Sequence, residues 1–121
     1  MFLDKLEVIH TENFDFMDEG NITKCGHRVC EWLQISSNLS LSVQASSMHY
    51  CTPRAYIDLD KYTHFEMAII WKDIMSDDYD MMEDFPRYEE LKECYSYGIF
   101  AYVPKDLIND LYYWCLENFN K

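Results

Sequence analysis

Two stretches of strict alternation constrain this chain more than any other feature. Leu39, Leu41, Val43 and Ala45 alternate with Ser40, Ser42, Gln44 and Ser46. Successive side chains of a strand point to opposite faces, so the pattern predicts a half-buried strand with one wet face. Phe65, Met67, Ile69 and Trp71 alternate with Glu66, Ala68, Ile70 and Lys72, a second strand expected to be central. Ile99 to Val103, rich in β-branched and aromatic residues, predicts a third. Pro104 then opens a helix where a missing N–H costs nothing. Leu107, Ile108, Leu111 and Cys115 form its apolar stripe, and Asp106 sits near the favourable end of its dipole.

The remaining segments are less regular. Residues 85–96, with Pro86 early and Phe85, Tyr88, Leu91 and Tyr95 near helical spacing, predict another short helix. Residues 2–9 are a short apolar element of either type. Residues 11–21 read as an acidic, aromatic loop ending in Gly20-Asn21, and residues 24–36 fit a short helix or a strand. Strands and helices without regular βαβ alternation predict an α+β fold. The expectation is a single domain over residues 1–121, with a three- to four-stranded antiparallel sheet packed against two helices.

A chain of 121 residues can bury one core without metal or disulfide staples. Its 17% aromatic content argues against disorder despite the charge. That charge is −12 and lopsided: residues 1–56 carry seven acids against four bases, residues 57–121 fifteen against six. Such a chain repels phosphates and anionic bilayers, so no direct binding to nucleic acid or membrane is expected, and basic proteins are the natural partners. The start, MFLDKLEVIH, has three charges and no long apolar run, so it reads as neither leader nor span. Five cysteines, an odd number, then read as reduced thiols in a cytoplasm.

Three constellations could carry chemistry. His49, Tyr50, Cys51 and Arg54 fall together between two predicted strands. A thiolate activated by a histidine is conceivable. Yet residues two apart on a strand hold their Cβ atoms roughly 7 Å apart, and no third orienting group follows. No catalytic residue is assigned. The same segment could instead bind a nucleotide signal, with His49, Tyr50 and Arg54 as a pocket in which an aromatic stacks on the base and arginine grips phosphate. A zinc-stabilised adaptor would need Cys25, Cys30, His49 and Cys51, with His27 in reserve, but C-x4-C and H-x-C are not common zinc spacings. No metal ligand and no cofactor is assigned.

The third constellation is SDDYDMMED, residues 76–84, with five carboxylates and no base. A calcium loop needs alternate oxygen ligands and a turn glycine. Here the alternation of Asp78 and Asp80 breaks at Met82, and no glycine follows before Gly98. The acidity continues to Glu93, interrupted only by Arg87 and Lys92, with Tyr79, Met82 and Tyr88 threaded through it. A charge run is most often a solubilising face. Self-repulsion at this density costs stability, and the interleaved aromatics could anchor an interface, so a partner surface is expected. Its residues are Asp77, Asp78, Tyr79, Asp80, Met82, Glu83, Asp84, Tyr88, Glu89 and Glu90.

The succession of a strand, SSMHYCTPR, YTHFEMAI and IFAYVPKDLI resembles small phage-encoded accessory proteins, over Leu39 to Leu111. In size and acidity the chain resembles phage anti-CRISPR proteins, many of which present acidic surfaces to nucleic-acid-binding sites. This second likeness is one of type and carries over no residue's role. It implies a non-enzymatic inhibitor in the cytoplasm of an infected host cell. Its partner would be a basic nucleic-acid-binding protein such as a CRISPR effector.

Overall fold

A computed structural model describes residues 1–14, 16–18, 21–23 and 25–119. The predicted strands form the middle of a six-stranded antiparallel sheet. Its path runs β5 (Leu33–Gln34), β6 (Leu39–Gln44), β7 (His64–Trp71), β10 (Ile99–Pro104) and β9 (Tyr95–Ser96), so β7 is central. The sixth strand, β8 (Ile74–Ser76), pairs with the C-terminal half of β7, on the edge whose other half β10 occupies. Two further strands, β1 (Val8–Asn13) and β4 (Gly26–Cys30), form a separate antiparallel ribbon, and β2 (Phe16–Asp18) pairs with β3 (Asn21–Thr23) between them. Residues 11–21, expected as a loop, therefore hold strand backbone at 11–13, 16–18 and 21; Gly20, near the expected end of that loop, lies outside the described residues.

The architecture is α+β, as expected. The sheet has more strands than the sequence reading counted because β5, β8 and β9 are two or three residues long, too short to show a period. Two helices complete the fold: α1 (Tyr88–Glu93) and α2 (Lys105–Phe119). Pro104 closes β10 instead of opening α2, which begins one residue later, with the Lys105 N–H donating to Thr63 O at 3.0 Å. On α2 the buried stripe is Leu107, Ile108, Leu111, Tyr112 and Cys115. It packs over Phe2, Leu41, Val43, Phe65, Met67 and Phe100, each 1% exposed or less. Fully burying side chains of this size stabilises by about 1.5–3 kcal/mol each before chain entropy is charged against it.

The second face of β6 is not wet. Ser40 and Gln44 are buried there, and Gln44 shows why. Its amide accepts from Cys30 N at 2.7 Å and donates to Cys30 O at 2.9 Å, imitating a peptide group and fastening the β1–β4 ribbon to the sheet. Two more ties flank it. Arg28 donates to Ala45 O at 3.2 Å and Ile57 O at 2.7 Å, and Ser47 N donates to Gly26 O at 3.0 Å. The Tyr56 ring lies directly on Gly26, where a Cβ would run into it, so only glycine fits this contact.

Candidate functional site

The acidic segment leaves β8 through two side-chain caps. Ser76 Oγ accepts from Asp78 N at 3.1 Å, and Asp78 Oδ1 accepts from Asp80 N at 3.2 Å. Short polar side chains that bond nearby backbone favour turns over continued strand, and the chain bends into a 3₁₀ turn at Asp80–Met82. That bend sorts the side chains. Asp77, Asp78, Asp80, Glu83 and Asp84 are exposed, while Phe85 is driven into the core. Met82, expected as a surface anchor, is fully buried, with its Sδ 3.7 Å from the Cys115 Sγ. Burial of a thioether stabilises and exposure does not, so Met82 works as core and not as a contact.

Tyr79 and Tyr88 are half-buried. Tyr79 stands 4.6 Å from the Tyr95 ring, 5.6 Å from Phe100 and 6.2 Å from Tyr88, an aromatic cluster that roots the acidic turn in the sheet. The Tyr88 hydroxyl donates to Asp80 Oδ1 at 3.3 Å. These two half-buried rings thus brace the carboxylates beside them.

Glu89 and Glu90 are exposed on the first turn of α1, where the helix dipole favours negative charge. Arg87 locks this helix to α2. Its guanidinium grips Glu90 through Nε at 2.7 Å and Nη2 at 2.9 Å, and its Nη1 reaches Asp110 at 2.8 Å and Asp106 at 3.0 Å. The pairing holds the Glu90 carboxyl below the usual carboxylate range, and the three carboxylates push the guanidinium pKa further up. One of the two bases in the acidic run is therefore consumed internally. Asp106 and Asp110 extend the face onto α2, which the sequence reading missed. Their i, i+4 spacing beside the apolar stripe was the available signal. An open cleft of about 290 Å³ lies next to them, lined by Phe85, Pro86, Arg87, Asp110, Tyr113, Trp114 and Glu117.

Of the residues proposed for a nucleotide pocket, His49 parts from Tyr50 and Arg54, which stay together. His49 turns inward: its Nδ1 lies 2.7 Å from Ser46 Oγ and its ring 5.3 Å from His27. Burial, followed by the positive fields of His27, Arg28 and Arg54, brings its pKa down to about 4. Tyr50 points outward, and the Arg54 guanidinium stands 5.0 Å over its ring, on a face a base would use. Cys51 is buried and donates to Ser46 O at 3.2 Å; burial pushes its thiol up, away from the reactive thiolate.

The cysteine-based zinc set does not assemble either. Among the described residues, no three of Cys25, Cys30, His49 and Cys51 bring ligand atoms together, and the group that does converge is His10, Glu12 and His27. No helix among the described residues is long and apolar enough to cross a membrane. Comparison of the chain with protein-family models, with curated proteins and with solved structures finds no match.

Proposed function

We propose that the chain is a non-enzymatic inhibitor that presents its acidic face to the basic, nucleic-acid-binding site of another protein. A CRISPR effector or a comparable defence nuclease is the class of target its phage-type resemblance suggests. One observation carries the reading: the carboxylates are displayed on a braced platform. The Ser76 and Asp78 caps, the Tyr79 cluster and the Arg87 clamp fix Asp77, Asp78, Asp80, Glu83, Asp84, Glu89 and Glu90 outward. Pre-organised charge avoids the ordering cost a floppy acidic tail would incur on binding. Charge complementarity supplies rate and register, and a desolvated centre supplies affinity. The cleft beside Asp110, with Tyr113 and Trp114 in its wall, replaces Met82 as the apolar part of the contact.

The test is displacement of labelled nucleic acid from purified effector complexes by this protein, followed by fluorescence polarisation. Displacement should weaken with salt and fall at least tenfold for the triple variant Glu83→Lys, Asp84→Lys, Glu89→Lys. These three residues are exposed and leave the caps and the Arg87 clamp intact. Asp4→Lys with Glu7→Lys, far from the face in sequence, should change little. Equal losses in both variants would refute the location, and no displacement from any effector would refute the reading.

A further inference from the structure

We propose that His10, Glu12 and His27 form a binding site for a divalent transition-metal ion of the zinc class on the outer face of the β1–β4 ribbon. The site is separate from the acidic face and does not depend on it. Its geometry follows from strand register. Glu12 lies directly opposite His27, and His10 is two residues further along β1, opposite Val29. Directly opposed and diagonal residues on one face of a ribbon lie close enough for long side chains to meet. The burial of β4 alternates, with Gly26, Arg28 and Cys30 inward, which leaves His27 on the other side with His10 and Glu12.

Ligand atoms of all three residues lie within 4.8 Å of one another, and His10 Nε2 stands 3.5 Å from Glu12 Oε1. A tetrahedral zinc ion with bonds of about 2.0–2.2 Å has ligand–ligand edges of about 3.4 Å. One edge is therefore already formed, and the others close by side-chain rotation. Two imidazoles and a carboxylate are a borderline donor set, suited to zinc and poorly suited to magnesium or calcium, which take oxygen ligands. Three protein ligands leave a fourth position for water or an outside group.

The surroundings hold the set in place. The His27 ring lies 5.3 Å from that of His49, tilted by 30°, and Ser46 Oγ fixes His49 at 2.7 Å. Packing of one ring against the other restricts rotation of the His27 imidazole. Gln44 and Arg28 tether β4 to the sheet, so His27 stands on an anchored strand. A net charge of −12 raises the local concentration of cations.

Calorimetric titration of the reduced protein with zinc chloride, in excess magnesium, should show one saturable equivalent. His10→Ala, Glu12→Gln and His27→Ala should each weaken it by about tenfold or more, while Cys25→Ser leaves it unchanged. Cobalt(II) at the same site should give weak visible bands of nitrogen–oxygen coordination without an intense thiolate charge-transfer band. His10 and Glu12 are exposed, so their variants keep the fold and circular dichroism will show it. Absence of saturable binding, unchanged affinity in His10→Ala and Glu12→Gln, or a thiolate band would each overturn the proposal.

Discussion

His49 shows how far a single environment can move a side chain from its ordinary behaviour. An unfolded histidine gains its proton near pH 6.5, but His49 in the fold does so only near pH 4, because burial and, after it, the neighbouring His27, Arg28 and Arg54 oppose the charge. Between those values the unfolded chain binds more protons than the folded one. Stability from this residue is therefore complete above pH 6.5 and is lost as pH falls toward 4. The loss should reach about 2 kcal/mol by roughly pH 5. Urea unfolding with a chelator present, at about pH 7.5 and about pH 5, checks this. His49→Gln should flatten that dependence, and an equally steep loss in the variant would refute the assignment. None of this was legible in SSMHYC, where His49 read as a pocket residue, because its partner His27 lies 22 positions earlier and meets it only through the ribbon. Arg28 was equally silent. It is 7% exposed, bonded to two carbonyls and 4.6 Å from the centre of the Tyr56 ring, and the sequence offers no sign that it is an inward strut.

At the scale of elements, legibility followed period. β6, β7, β10 and α2 each set an apolar row into the core between the sheet and α2, so those residues recur at the spacing the geometry demands, even where, as in β6 and much of β7, the second face is buried too. β1 is exposed at all six positions, so it has no apolar period to read: residues 8–9 fell in the short apolar element of either type and 11–13 in the expected loop. The short strands depend instead on turn chemistry. Lys72 and Asp73 join β7 to β8 with φ of 53° and 66°, left-handed values that suit a two-residue hairpin but not these side chains. Replacing the pair by Asn-Gly should stabilise the protein by about 1 kcal/mol. Thermal unfolding of Lys72→Asn with Asp73→Gly tests the strain directly. A lowered midpoint would mean that Lys72 and Asp73 contribute contacts worth more than the relieved backbone. The same hairpin delivers the chain to Ser76, so a firmer turn should also leave the acidic platform, and displacement by it, unchanged.

For the molecule as a whole, the same charge acts on stability and on binding with opposite signs. The acids and bases outside the internal Arg87 clamp leave a strongly negative surface, concentrated in residues 57–121. Folding brings these charges closer together than they stand in the extended chain, so self-repulsion opposes it. Raising salt from about 0.01 M to about 0.15 M shortens the screening length from about 30 Å to about 8 Å. That removes repulsion across the face while leaving the short, partly shielded Arg87 contacts largely in force. The thermal midpoint should therefore rise over this range, whereas displacement of nucleic acid from a basic partner should weaken. In the Glu83→Lys, Asp84→Lys, Glu89→Lys variant both slopes should flatten together, because one set of carboxylates produces both. A purely solubilising face predicts only the first effect. If the midpoint rises with salt while displacement is absent or independent of salt, the charge serves the protein's own solubility. Opposite slopes, both reduced in the triple variant, are what a surface that gives up stability in order to bind must produce.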